Sequence, residues 1–290
     1  MRSLTLVHLS DLHFGRDALV EQIEELEEFV PSLHADLVVL SGDLTQRARH
    51  GELQRARAFV RLLARSAPTL AIPGNHDVQW WWSPLSLLGS TPRYRKFRRY
   101  FGPELCPTLE IPGAIVASAL TSFGVSIGAM TWNPNDMAVK GYLPRSEAMR
   151  VKRTFQQAEP GAVRVLAVHH NVLRGGISRR MGLARWRQAQ RRLRDTGVEL
   201  VLCGHDHQEG AGQLAGGVVV STASTHSTRT RGGRPSAFNV ISVDQTSIGI
   251  QHMRWDGGAK RFVASDQSRF ARAEGRKDGK TEGRKDGTSE

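Results

Sequence analysis

Short apolar runs alternate with amphipathic stretches through the first third of the chain. Residues 4–10 read as a buried strand, and Val20, Ile23, Leu26, Val30 and Leu33 follow at helical spacing, with Asp17 placed to cap that helix. Leu37–Leu40 reads as a second strand, Leu53, Ala56, Val60 and Leu63 mark a second helix, and Thr69–Ile72 reads as a third strand ending at Pro73-Gly74. This β-α-β-α-β order predicts a parallel sheet covered by helices. Sites in such sheets form beyond the carboxyl ends of the strands.

Residues 79–112 break the rhythm. They hold Trp80-Trp81-Trp82, several prolines and a basic stretch, and read as a cap-like insertion. Strands are expected again at 115–120 and 125–130, then a helix after Pro144 and a strand over Val163–Val168. A helix presenting Leu183, Trp186, Gln190 and Leu193 on one face leads to a strand over Val198–Cys203. Strands then dominate, at 218–221, 238–243, 248–253 and 261–264. Near the end Glu274–Thr281 is nearly repeated by Glu282–Thr288, without apolar residues to bury. The expected organisation is one domain over 1–265 and a low-complexity, disordered tail over 266–290.

Five polar segments punctuate this pattern, each closing an apolar run: Asp11-Leu12-His13, Gly42-Asp43, Gly74-Asn75-His76-Asp77, His169-His170-Asn171 and Gly204-His205-Asp206-His207. Singly they mean little, since Gly-Asp is a common turn. Together they place carboxylates, imidazoles and an amide at one end of a sheet, the donor mix that holds a pair of divalent metals. Asp11 and His13 sit two apart, and on an extended segment both side chains would point to one side. Asp43 could bridge two ions with its carboxylate, Asn75 offers a carbonyl oxygen, and His205 and His207 could each serve a different ion. His76 should point elsewhere, towards a substrate.

Composition sharpens the picture. The 290 residues are 39% hydrophobic, enough for a real core, and no run approaches the about 20 apolar residues of a membrane span. The N-terminus enters the first strand without a signal-peptide pattern, and the two cysteines, Cys106 and Cys203, cannot form a disulfide framework. A reducing cytoplasm is the expected compartment. The formal charge is +12, and the tail, with seven Lys/Arg against six Asp/Glu over 266–290, does not explain it. Arginines cluster over 93–99, 174–194 and 229–234. Such a surface favours anionic partners, whether a phosphorylated substrate, anionic lipid or nucleic acid, or else is simply a solvated basic surface.

The five segments, in this order, resemble the blocks of the calcineurin-like metallophosphoesterase superfamily: D-x-H, G-D, G-N-H-[DE], H and G-H-x-H. The resemblance runs from residue 11 to 207. It implies an α/β fold with a two-sheet β-sandwich flanked by helices (α/β/β/α). It also implies two divalent metal ions, Mn, Fe or Zn for this N/O donor set. One ion would be held by Asp11, His13, Asp43 and His207, the other by Asp43, Asn75, His169 and His205, with His76 as the catalytic histidine. The expected activity is that of a metal-dependent phosphoric ester hydrolase in which a metal-bound hydroxide attacks phosphorus. Gly-Asp-Leu-Thr at 42–45 and Gly141-Tyr142-Leu143 resemble the bacterial cyclic-nucleotide-phosphodiesterase-like branch, while Asn171 stands where many members carry proline.

Three readings of function follow. The first is a phosphodiesterase on a soluble nucleotide-type substrate. The second is a pyrophosphatase on an amphiphilic, nucleotide-linked lipid of the UDP-diacylglucosamine type, at the inner face of the membrane. Trp80-Trp81-Trp82, with Leu85, Leu87, Leu88 and the basic stretch 93–99, motivates it. The third is a non-catalytic module bound to nucleic acid or membrane, which the intact set of metal blocks disfavours, or a nuclease, which the basic charge leaves open but no partner-docking helix or coiled coil supports.

Overall fold

The computed structural model describes residues 3–78, 93–123 and 139–272. In chain order the elements are β1 (Leu4–Leu9), α1 (Val20–Ser32), β2 (Leu37–Leu40), α2 (His50–Leu63), β3 (Thr69–Ala71), α3 (Arg95–Phe101), β4 (Leu109–Ile111), β5 (Ala114–Ser118), α4 (Arg145–Gln156), β6 (Val163–His170), α5 (Trp186–Asp195), β7 (Leu200–Gly204), β8 (Gly210–Gln213), β9 (Val219–Thr222), β10 (Ala237–Val243), β11 (Ser247–Asp256) and β12 (Arg261–Ala271).

Two six-stranded sheets result. The first has the order β12-β11-β10-β1-β2-β3 and the second β4-β5-β6-β7-β9-β8. β1, β2 and β3 are parallel, and so are β5, β6, β7 and β9. The alternation of side chains along each strand builds three apolar layers. Leu37 and Val39 of β2 and Leu4 and Leu6 of β1 face Val165, Ala167, Leu200 and Leu202 of the second sheet. Val38 and Leu40 turn the other way, onto Ile23, Leu26 and Val30 of α1 and Leu53, Ala56 and Phe59 of α2. Leu166, Val168, Val201 and Cys203 likewise pack on Val151 and Phe155 of α4 and Ala189 and Leu193 of α5. The architecture is therefore the α/β/β/α sandwich.

Several local expectations are corrected. Asp17 does not cap α1. The helix starts after Leu19 without a side-chain cap, and the Asp17 carbonyl accepts the Thr228 N–H instead (2.8 Å). Leu183 lies before α5 in a bridge to Gly141, and the buried face of α5 is made by Ala189 and Leu193. β12 runs through the boundary expected at 265/266 to Ala271, because Gln267–Ala271 pair with β11. Residues 273–290 lie outside the described residues, as do the strand expected at 125–130 and residues 79–92 with Trp80–Trp82. The rest of the cap-like insertion is built into the body. Tyr94 and Phe97 enter the core beneath α1 and α2, and β4 adds an edge to the second sheet. Among the described residues no helix is long and apolar enough to cross a membrane.

Candidate metal centre

Every proposed donor sits just past, or at, the carboxyl end of a parallel strand. Asp11 and His13 follow β1, Asp43 follows β2, Asn75 and His76 follow β3, His169 ends β6, and His205 and His207 follow β7. Strand parity decides the orientation of the histidine pair. Val165 and Ala167 face the first sheet, so His169 does too, while His170 turns to the helix side. His170 accordingly takes Thr121 Oγ1 (2.8 Å) and the Val139 carbonyl (3.1 Å) as partners.

The approach to the site is not extended chain. Asp11, His13, Asp43, His205 and His207 all have φ between 47° and 72°. The expectation that Asp11 and His13 share a side through strand alternation is therefore replaced. β1 ends at Leu9, and left-handed backbone brings the two together. This conformation is uncommon outside glycine, Asp and His tolerate it better than most, and such strain concentrates at functional sites. Two glycines make the close approach possible. A Cβ on Gly74 would collide with Asp43, and one on Gly204 would collide with Ser10 Oγ and Asp11 Oδ2.

The donors converge in two groups: Asp11, His13, Asp43 and His207, and Asp43, His169 and His205, each with its donor atoms within 4.8 Å of one another. In the first, His13 Nε2 and His207 Nε2 stand 3.0 Å apart, and Asp11 Oδ1 is 3.3 Å from His207 Nε2. In the second, Asn75 Oδ1 is 3.0 Å from both His169 Nε2 and His205 Nδ1. Asp43 Oδ2 is shared, 3.9 Å from His13 Nε2 and 3.3 Å from His169 Nε2. Its other oxygen accepts the His76 N–H (2.8 Å). Two ligands on one ion with bonds of about 2.1 Å stand about 3.0–3.5 Å apart, so these spacings suit ions in both groups.

Hydrogen bonding from outside supports the same reading. His169 Nδ1 donates to the Ser41 carbonyl (3.0 Å) and His207 Nδ1 to the Arg229 carbonyl (2.8 Å), which turns the Nε2 atoms inward. Asp11 Oδ2 accepts the His205 N–H (2.9 Å), whereas the buried Asp11 Oδ1 has no hydrogen-bond partner. A buried carboxylate oxygen without a donor is costly unless a cation satisfies it. Burial opposes charge on Asp43, but the adjoining His169 and His76 hold its carboxyl well below the usual range. Against the same burial, Asp43 raises His169 to about 9, while burial and then His169 push His205 down to about 3.

A calcineurin-like phosphoesterase family model matches residues 4–209, which contain every donor named above. The chain belongs to the calcineurin-like phosphoesterase family. It is 30% identical over 112 residues to a transmembrane protein with metallophosphoesterase domain from Danio rerio, a match spanning 36% of this chain and 25% of that protein. The chain thus matches about a quarter of that relative's length. Among solved structures it is similar to a dimetal phosphatase from Danio rerio (TM-score 0.63, 14% identity, 93% of this chain and 99% of that one). It is also similar to GAP50, the anchor in the inner membrane complex of Plasmodium (TM-score 0.59, 11% identity, 95% and 91%). At such identities these structures speak for the fold alone. Family membership and the two donor groups sharing Asp43 together support a dimetal phosphoesterase.

The Ser/Thr/Arg content of the segment Thr222–Arg234, with Ser224, Thr225, Thr228, Arg229 and Arg231, is expected either to shape a phosphate pocket or to form a flexible loop, and the structure brings Arg229 to the site. Arg229 Nη1 lies 3.3 Å from His76 Nε2. Nothing in its local sequence distinguishes it from its neighbours Arg231 and Arg234. Asp77, Asp206 or backbone carbonyls are the groups the sequence offers to orient the donors; the carbonyls of Ser41 and Arg229 do so, whereas the side chains of Asp77 and Asp206 touch none of the donors. Asp77 accepts the N–H groups of Leu44, Thr45 and Gly74, locking the Asp43 loop onto the Asn75 loop. Asp206 accepts from Ser178 Oγ (2.7 Å) and from Gln208, outside the donor groups.

Proposed function

We propose that the protein is a dinuclear-metal phosphodiesterase acting on a nucleotide-type substrate. The observation that carries the reading is the shared Asp43 oxygen facing both donor groups. Asp11, His13, Asp43 and His207 would hold one ion and Asp43, Asn75, His169 and His205 the other, with Mn, Fe or Zn suiting the mixed N/O donors. When bound, such a pair supplies Lewis-acid neutralisation of phosphoryl charge and activation of water.

The chain's own contribution centres on His76. Its Nδ1 lies 2.8 Å from the Gln46 carbonyl, which can only accept, so Nδ1 carries a proton. The ring stands edge-on to His13, with centroids 4.8 Å apart. Nε2 accepts from Arg229 Nη1 here, and is the atom that would take up a proton and pass it to the leaving oxygen or to a phosphoryl oxygen. Preference for a nucleotide-type diester rests on the sequence resemblance. The exposed arginines 174, 179, 180, 185, 187 and 194 support peripheral contact with an anionic membrane, and with it the lipid-linked pyrophosphatase as the second reading. Nucleic acid is the less favoured partner.

The test compares manganese-loaded protein on cyclic AMP and on micellar UDP-diacylglucosamine, with chelator and His76→Ala controls. Chelator-sensitive AMP release, lowered about 10²–10⁴-fold in His76→Ala at unchanged metal content, is the expected result. UMP release alone would transfer the reading to the pyrophosphatase. A fully active His76→Ala protein would remove that residue from the chemistry.

A further inference from the structure

The segment following β9 packs against the first donor group and is held there from several sides. Thr225 Oγ1 donates to the Asp11 carbonyl (2.7 Å), and the His226 N–H reaches the same oxygen (3.2 Å). The Thr225 and Ser227 hydroxyls bond each other at 2.8 Å, the Thr228 N–H donates to the Asp17 carbonyl (2.8 Å), and the Arg229 N–H donates to Ser227 Oγ (3.3 Å). The Arg229 carbonyl completes the set by accepting from His207 Nδ1. Residues 225–228 lie against Asp11 and its surroundings, and Arg229 against His207. The backbone of this loop is therefore placed by the same residues that form the first donor group.

The side chain that emerges from this anchored backbone is a solvent-exposed guanidinium next to His76. Arg229 Nη1 donates to His76 Nε2 at 3.3 Å, since His76 Nδ1 already donates to Gln46. No carboxylate pairs with Arg229 among the described residues. A guanidinium has five donors, and one is engaged here. A cation left without an anionic partner, held at the rim of a site that would accept phosphoryl groups, has the chemistry of an anion receptor.

We propose that Arg229 is a substrate-binding residue that takes a non-bridging phosphoryl oxygen beside His76. This rests on the phosphoesterase reading above. The side chain and the carbonyl of Arg229 do separate things. The guanidinium recognises the anion, while the carbonyl orients His207 and survives any side-chain substitution. Removing the guanidinium therefore weakens anion binding without disturbing metal content. Lysine restores the charge but not the planar fork, so it rescues only in part.

The experiment measures inorganic phosphate binding by calorimetry on the manganese-loaded protein, together with KM and kcat on a diester. The variants are Arg229→Gln, Arg229→Lys and, on the outward face of α5, Arg191→Gln. The expected result for Arg229→Gln is a roughly ten- to hundredfold rise in phosphate Kd and in KM, with unchanged metal content. Arg229→Lys falls between, and Arg191→Gln matches the unsubstituted protein. An unchanged Kd in Arg229→Gln overturns the proposal, including the case where kcat alone falls, which would make Arg229 a positioning residue for His76. An equal loss in Arg191→Gln also overturns it, by tracing the effect to general surface charge. If the unsubstituted protein binds phosphate in an Arg229-dependent way yet cleaves no diester, the diesterase reading fails and the assignment of Arg229 stands.

Discussion

The two sheets bring chemically different halves to one site. The first contributes both carboxylates, Asp11 and Asp43, the amide Asn75, and His13. The second contributes imidazoles alone, His169, His205 and His207. The first half is tied together by a fully buried carboxylate. Asp77 accepts three backbone N–H groups and the Thr45 hydroxyl, and burial followed by the Asp43 charge raises it to about 6. The second half is held from outside, by carbonyls of Ser41 and Arg229 and by the Asp11 carboxylate, none of which lies on the strands that carry its imidazoles. Negative charge is thus fixed within one sheet, and the imidazoles are aimed at it by contacts from outside their own strands. A divalent pair needs both, so the centre exists only where the sheets meet.

The sharpest way to break this asymmetry is to remove one donor from each side. Asp43→Ala is expected to abolish binding of both ions and activity, because its Oδ2 faces both groups. His169→Ala should leave one ion bound by Asp11, His13, Asp43 and His207. Elemental analysis and calorimetric stoichiometry read the difference, and equal losses in the two variants would refute the sharing of Asp43.

The next effect is on the internal lock. Asp77→Ala strands three buried N–H groups and is expected to cost about 3 kcal/mol of stability. Asp206→Asn, which keeps an acceptor for Ser178 and Gln208, should stay within about 1 kcal/mol. Denaturant titrations of both variants give the comparison. Similar losses would mean that the second half has an internal lock as well.

The last effect is a pH slope. His226 is buried against Phe262, neither ring nitrogen has a hydrogen-bond partner, and burial lowers it to about 3. Its unfolded value is near 6.5. The unfolded chain therefore takes up a proton first, and stability present above pH 6.5 is lost as the pH falls from there towards 3. The slope is at most about 1.4 kcal/mol per pH unit from this group. His226→Phe should flatten it in thermal melts between pH 6.5 and 4. An unchanged slope would assign the acid sensitivity to other groups such as His8, also lowered to about 3 by burial.

Much of this molecule was legible before folding. The spacing of Val20, Ile23, Leu26 and Val30, and the all-apolar β2, set helix and strand because periodicity must match burial. Elements that lack such a pattern were not legible. β8 is Gly-Ala-Gly-Gln and exists through its pairing with β9, and the three-residue β4 exists through its hairpin with β5. Asp17 looked like a cap, but its surroundings are set by Thr228, more than two hundred residues away in the chain.

For the site, the sequence by itself determined which chemical groups stand at the strand ends, and in what order, because residue type and distance from an apolar run are local properties. The tertiary structure alone decided how those groups are aimed. The left-handed backbone at Asp11 and Asp43, the use of Nδ1 at His205 against Nε2 at His169, and the single Asp43 oxygen facing both groups follow from two sheets closing on each other. So does the choice of Arg229 from a run of similar arginines. Such orientations depend on hydrogen bonds between residues distant in the chain, such as Asp11 with His205, and no local pattern encodes them.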